Sequence, residues 1–585
     1  MKLTLRSVFC LALIAGMAGR ALADCDDACD SDCSDTYTHY GCGKDNYVCA
    51  RPDILPFSQG MNRARDYMGQ GHLMNIDGLE DWNWVKAAAF EYQHSFNPER
   101  LGRYFSPACE CTNGNQFVVG ENLDGTIDIR AEDLGMSPTF RGTLELKPKI
   151  ENFIFEPSFY LGMDRWAEGL YMWSKLPIAY TIWTMETCET TTQRGGSAFA
   201  PNVMENRLTT TTGLYVNRGN YAGPRTIDSI CKAFSGKYTF GDKDIPLQAG
   251  RIICNCPQDK VGIADIPLHL GYTLVDGDRG NLGLYARTVF PTGTMEVNRS
   301  IFDPRIGYRR WQLGGGLQGQ VRLFENDEQT TSMYFFGDAN VTHVFKGEEC
   351  RLFDMKTGTY RPTDTKWSRY LLMKEFEDVA GTLTYNGRLR NFADIFTVCV
   401  KSGFDWLVDG LFYFNLKHKN WNFDLGYEIK ARDCESFDCP ANLCDPCTYS
   451  DCDECCGTST VRYFGVKGVQ YVSDNYIDYS TTYGMGSIKH TDNTAGNGTA
   501  AALTNVIATT DTLSDVVDVN SGMRPRMVAH KVFGNIGYTW DVGEAKFFDN
   551  HGPIFFDLGA EAELGAKNKA VRSWGVWGKC GYAYN

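Results

Sequence analysis

The sequence predicts an all-β fold, an antiparallel transmembrane β-barrel of about 16 strands (range about 12–18) with long cysteine-rich loops. Three observations carry this. Period-two alternation starts near Asp81 and recurs to the end of the chain. The alternating segments run for about 10–14 residues, where soluble strands centre on about 5–6 and a tilted membrane strand needs about 9–11. Their apolar faces begin and end with aromatics, as in Trp82 and Phe96, Trp406 and Phe414, Trp574 and Tyr584, which is how barrels in lipid mark the two interfaces.

The elements follow in order. Lys2 and Arg6 precede an apolar run, Ser7 to Gly19, and Ala21-Leu22-Ala23 reads as a cleavage site, so residues 1–23 are expected to be a signal peptide. The run is too short for a membrane anchor. Residues 24–80 form a cysteine-rich N-terminal segment, a plug or a periplasmic extension, with a short helix near Asn62–Gln70. Residues 81–585 form the barrel. In its first strand Trp84, Ala88, Phe90 and Tyr92 oppose Val85, Ala87, Ala89, Glu91 and Gln93. Leu313, Leu317 and Val321 oppose Gln318, Gln320 and Arg322 before the turn at Glu325-Asn326-Asp327. Trp406, Val408, Phe412 and Phe414 oppose Asp405, Asp409 and Tyr413. The last strand sets Trp574, Val576, Cys580, Tyr582 and Tyr584 against Ser573 and Lys579. Lipid cannot satisfy free backbone N–H and C=O groups, so such a sheet has to close. The strands at 82–96 and 570–584 are the expected closing pair. Some turns are short and other connections long, the asymmetry of outer-membrane barrels.

Composition excludes other classes. The 585 residues are 43% hydrophobic and 13% aromatic with net charge −15, too aromatic for disorder and too acidic for a nucleic-acid partner. Removing Lys2, Arg6 and Arg20 with the signal takes −15 to about −18. There is no H-E-x-x-H, G-x-S-x-G or Walker loop, and His94, His269, His343, His418 and His530 are scattered, so no enzyme, catalytic residue, metal or cofactor is expected.

Of the 22 cysteines, Cys10 lies in the signal. An exported chain keeps disulfides, and the candidates are clustered: Cys25, Cys29, Cys33, Cys42 and Cys49; Cys109 with Cys111; Cys254 with Cys256; and Cys434, Cys439, Cys444, Cys447, Cys452, Cys455 and Cys456 in a loop at 433–460. The last group is spaced too closely for a zinc module.

If the apolar faces meet lipid, the opposite faces line a lumen. Its candidates are Glu91, Arg141, Glu145, Arg287, Arg322, Asp338 and Asp405, then Asp409, Asp424, Glu428, Lys531, Asp557, Glu561 and Lys579. Such a wall sets ion preference, and the excess of acids points to weak cation preference.

With its signal, alternating strands and aromatic-rich terminal strand from Trp574 to Tyr584, the chain resembles Gram-negative outer-membrane β-barrels of the porin type. Its cysteine content is similar to that of the disulfide-linked porins of chlamydial envelopes. The resemblance implies a bacterial outer-membrane location, outer-membrane lipid around the barrel, recognition of the last strand by the barrel-assembly machinery, and a homo-oligomer. It implies passive diffusion of small hydrophilic solutes and ions. The alternative is a disulfide-linked structural or adhesive envelope protein with a closed or plugged barrel.

Overall fold

The computed structural model describes residues 51, 53–55, 59–69, 83–107, 114–120, 127–196, 226–239, 245–277, 279–294, 299–356, 367–379, 382–438, 461–466, 507–508, 511–540, 553–567 and 570–584. The signal, the cysteines from Cys25 to Cys49, Cys109, Cys111 and the cysteines from Cys439 to Cys456 lie outside these residues.

Among the described residues fourteen strand segments build the wall. They are β1 (Trp84–Phe96), β2 (Arg141–Gly162), β3 (Leu170–Lys175), β4 (Ile178–Gln193), β5 (Pro257–Ile263), β6 (Ile266–Gly277), β7 (Gly280–Phe290), β8 (Gln312–Glu325), β9 (Thr331–Leu352), β10 (Thr397–His418), β11 (Trp421–Arg432), β12 (Met527–Trp540), β13 (Ile554–Lys567) and β14 (Arg572–Tyr584). All wall pairings are antiparallel, and the ring closes where β1 meets β14 from Trp84↔Tyr584 to Phe96↔Arg572. This is the closing pair the sequence predicts.

The ring holds 12 strands, the lower bound of the expected range rather than its centre near 16. Two positions are shared by broken strands. β3 and β4 both pair with β2, and they are matched on the other side by β6 and β5. Pro177 has no N–H to give, so one wall strand breaks at Leu176-Pro177 and its neighbour at Ala264-Asp265. The seam is repaired locally: Ala264 N–H donates to the Pro177 carbonyl at 2.8 Å. The Asp265 carboxylate accepts the N–H groups of Gly293, Tyr308 and Arg309 at 3.0, 2.5 and 3.1 Å. Those bonds tie the connection after β7 to the wall. Other alternating stretches between the ring strands belong to a cap.

The two ends of the barrel differ. At one end β6–β7, β8–β9 and β10–β11 turn over within a few residues. At the other the connections build the cap, which includes helix α2 (Pro98–Phe105) and short strands such as Gln116–Gly120, Leu372–Val379 and Thr382–Asn391. α2 starts with Asn97, whose side chain accepts the Arg100 N–H, and with Pro98 in its first turn, where a missing N–H costs nothing. Its buried Leu101, Tyr104 and Phe105 join Phe117, Phe140, Phe234, Trp367 and Tyr370 in an apolar core. The Cys231–Cys254 disulfide staples that core, and Cys188, Cys256 and Cys399 are also disulfide-bonded. Cys434 corrects the expected loop pairing: it is a free, exposed thiol whose N–H is held by the Asp433 side chain.

The exterior is apolar. Leu270, Leu284, Leu317, Phe412, Leu425, Ile536, Leu558 and Val576 all point outward and are exposed. So are Trp311, Trp421, Trp540 and Trp574 near strand ends, and Trp406 within β10. A continuous apolar belt on a closed sheet fits hydrocarbon, not water. No helix among the described residues is long and apolar enough to cross a membrane; the strands make the crossing. Leu425 sits mid-strand and is 69% exposed. Leu425→Arg is expected to lower the stability of the lipid-reconstituted barrel by about 2–4 kcal/mol, read from urea unfolding, because the charge would face the bilayer core. A water-facing site would leave the midpoint unmoved.

Candidate functional site: a lumen crossed by its own chain

Inward positions of the wall carry paired charges and large aromatics. Neither fills a 12-strand ring alone, and the chain before β1 occupies the space. Its path begins at the cap, where the Arg51 N–H donates to the Tyr104 carbonyl at 3.1 Å. Burial is the main reason the Tyr104 phenol is pushed up to about 12, so it stays neutral there. Asp53 follows, wholly buried, against Arg305 at 3.3 Å and also against Arg351 and Arg524. Glu435 completes the cluster, 2.7 Å from Arg351 and 3.0 Å from Arg524.

The chain then enters the barrel. α1 (Arg63–Tyr67) is capped by Asn62, whose side chain accepts the Arg65 N–H at 3.3 Å. A single turn is too short to be stable in water; here the wall holds it. Arg63 pairs with Asp338 on β9 at 2.5 Å. Arg65 lies between Glu91 on β1 and Glu156 on β2, 2.5 Å from the latter. Asp66 meets Lys175 on β3 at 2.5 Å. Asn62 Nδ2 donates to Glu561 at 2.9 Å and Lys531 donates back to Asn62 Oδ1 at 3.0 Å. Lys579 on β14 donates to the carbonyls of Arg65, Asp66 and Met68 at 2.6, 2.9 and 2.9 Å. The described thread ends at Gly69, whose φ of +76° suits glycine. A Cβ there would lie 2.0 Å from Asp557.

Apolar packing fills the rest. Ala64, Tyr67 and Met68 meet Tyr171, Tyr285, Phe336, Tyr413, Phe533 and Trp577. These rings lie flat because glycines sit beside them. At Gly316 an added Cβ would come within 2.4 Å of the Tyr285 ring, and at Gly559 within 2.2 Å of Trp577.

Many of the predicted lining residues are where alternation puts them. Glu91, Arg287, Asp338, Asp409, Asp424, Glu428, Lys531, Asp557, Glu561 and Lys579 are all buried on inner faces. Four are not. Asp405 is exposed on the outside. The β9–β10 register slips between Thr342 and Gly347, so Phe404 and Leu407 face inward and Asp405 and Trp406 turn out. Arg141 and Glu145 sit on the outer parity of β2, where this 22-residue strand runs on into the cap. Glu145 there meets Lys147 at 3.0 Å. Arg322 has the inner parity but lies at the short-turn rim, half-exposed and paired with Glu325 at 3.0 Å. Sequence reasoning missed Glu156 and Lys175, which adjoin Pro157 and lie near Pro177, where proline blurs the strand limits. It also missed Arg63, Arg65 and Asp66, although Asn62 followed by a charged turn is a visible signal. Among the described residues no group of His, Cys, Asp and Glu is arranged to hold a metal ion.

Arg65 is the hinge of this arrangement. Arg65→Leu strands two buried carboxylates, Glu91 and Glu156, and is expected to cost about 3–5 kcal/mol, measured as a lower thermal midpoint of the folded barrel band on unheated gels. The triple change Arg65→Leu, Glu91→Gln, Glu156→Gln is expected to recover most of the loss.

No family model matches the chain, and no curated protein matches it. Among solved structures it is similar to an outer membrane channel from Pseudomonas putida F1, at 8% identity and TM-score 0.30, covering 87% of this chain and 98% of that one. It is also similar to the transport unit of the autotransporter AIDA-I from Escherichia coli, at 7% identity and TM-score 0.25, covering 91% and 100%. A FadL homologue from Pseudomonas aeruginosa aligns at 8% identity and TM-score 0.24, covering 93% and 99%. Likeness at this level carries no argument, and the barrel rests on its own closed hydrogen-bond ring.

Proposed function

We propose that the protein is a bacterial outer-membrane channel for small hydrophilic solutes, held shut by its own N-terminal segment. One observation carries this reading: the lumen is crossed by a stretch of the chain before β1 that is gripped mainly through ion pairs to the wall. A barrel serving only as a scaffold gains nothing from so many buried charges, since apolar residues of like volume hold as well or better. A polar wall is what a hydrated path needs once the thread moves. The thread also changes the electrostatics expected from the wall alone. Arg63 pairs with Asp338, and Arg65 with both Glu91 and Glu156, so the thread offsets part of the wall's negative charge and the full cation preference belongs to the open state.

The test is planar-bilayer conductance of the full chain. The wild type is expected to be closed for most of the record, with brief steps. The Arg63→Ala/Arg65→Ala variant is expected to open at least about tenfold more often, since each lost charge-assisted bond releases about 1.5–3 kcal/mol of grip. A wild type that is permanently open would overturn the closing role. Silence in both, with folded barrels on the gel, would favour the structural or adhesive envelope reading.

A further inference from the structure

Most of the described lumen cations are engaged by carboxylates or by the thread. Arg63, Arg65, Lys175, Lys430 and Lys531 each pair with a carboxylate. Lys579 is saturated by three carbonyls of the thread. Arg287 on β7 is buried to the same degree, yet no carboxylate pairs with it among the described residues. Its Nη1 donates to Thr342 Oγ1 at 3.0 Å and reaches Asn340 Oδ1 at 3.4 Å, both neutral acceptors on β9. Its Nε has no partner. Gly314 makes this reach possible. It lies opposite Arg287 on the intervening strand β8 and opposite Thr342 on its other side, so the guanidinium passes over a position without a side chain.

A second observation sits beside the first. Gln312, two residues before Gly314 on the same inner face, is 1% exposed, and neither its amide oxygen nor its amide nitrogen has a partner. His269 lies opposite Arg287 on β6, and its Nε2 is also unpartnered. A buried amide left with no hydrogen bond is costly and calls for an occupant. Of the acids that act on Arg287, Asp66 is held by Lys175 at 2.5 Å, while Asp409 lies 4.0 Å from Lys430, leaves its Oδ1 without a partner and makes no ion pair with Arg287 among the described residues. Arg63 and Lys175 also lie within electrostatic reach of the His269 ring, each beside its own carboxylate.

We propose that Arg287, Gln312 and Thr342 form an internal binding site for a small oxyanion. The reading rests on the lumen being a solute path. A guanidinium fork matches the paired oxygens of phosphate or carboxylate. The Gln312 amide and the Thr342 hydroxyl add neutral hydrogen bonds that do not repel the charge. A bound anion would accept from the open Nε of Arg287 and from the Gln312 Nε2, and the O–H of a protonated phosphate could donate to the Gln312 Oε1. The site would give anions a station in a path whose wall otherwise favours cations.

The experiment is isothermal titration of the folded full chain in detergent with inorganic phosphate, against chloride at matched ionic strength. The wild type is expected to show saturable phosphate binding. Arg287→Gln is expected to weaken it by about tenfold or more and Gln312→Leu by about threefold, as loss of a charged and of a neutral hydrogen bond would. Equal phosphate affinity in the wild type and Arg287→Gln, or no saturable binding, overturns the proposal. If Arg287→Gln does not fold, Gln312→Leu decides, because that amide holds no protein group in place: unchanged affinity overturns the site. Conductance is read separately. Binding by a barrel that never conducts sinks the channel and supports the site, whereas a conducting barrel that binds no phosphate sinks the site alone.

Discussion

A sheet in hydrocarbon has to close, because lipid offers its edge strands no hydrogen-bond partners. The pairing of Trp84–Phe96 with Arg572–Tyr584 meets that demand, and the other features answer to it. Closure turns one face of every strand outward, so Leu317, Leu425 and Leu558 form the belt. It turns the other face into a confined interior, where Glu91, Glu156, Asp338 and Glu428 can be ionised only if cations are held against them. The thread supplies part of that charge, and its anchors at Asp53 and Asn62 show the compensation is specific in position as well as in sign.

Two kinds of filling share the interior. Aromatic rings lie flat over glycines of neighbouring strands and narrow the bore from the wall side. The charged thread takes the remaining width. The wall is also indented on the outside: Phe90, Phe155, Tyr180, Val261, Ile536 and Leu558 line an exterior hollow of about 970 Å³. The strands beneath it carry Glu91, Glu156 and Glu561 on their inner side, and these side chains hold Asn62 and Arg65. The inward curve and the tightest grip on the thread coincide.

Alternation makes the faces of the long strands legible in the sequence alone. Glu91, Asp338, Asp424 and Lys579 are inward for the reason their neighbours Phe90, Phe335, Leu425 and Trp574 look outward: the side-chain period is two. The rule fails where the backbone departs from it. An irregular register moves Asp405 outside, and a strand running past the belt puts Arg141 and Glu145 into the cap. The strand number differs because a proline splits one wall strand and its neighbour breaks with it. The thread is the hardest part to read. Arg63, Arg65 and Asp66 look like a solvated turn, and only long-range partners such as Glu156 and Asp338, distant in sequence, make them interior.

The direction of the thread bears on how the ring closes around it. The chain reaches the cap at Arg51, passes down the bore to Gly69, and only then begins the strand that closes the ring with the last one. The final pairing therefore shuts a hoop around a length of the same molecule. A thread still outside at that moment has to enter through an open end, because the sealed wall offers it no side entrance. The thread's contacts with β1, β2 and β14 join the first strands to the last, so it can serve as the gauge that brings the two ends of the sheet together at the right circumference.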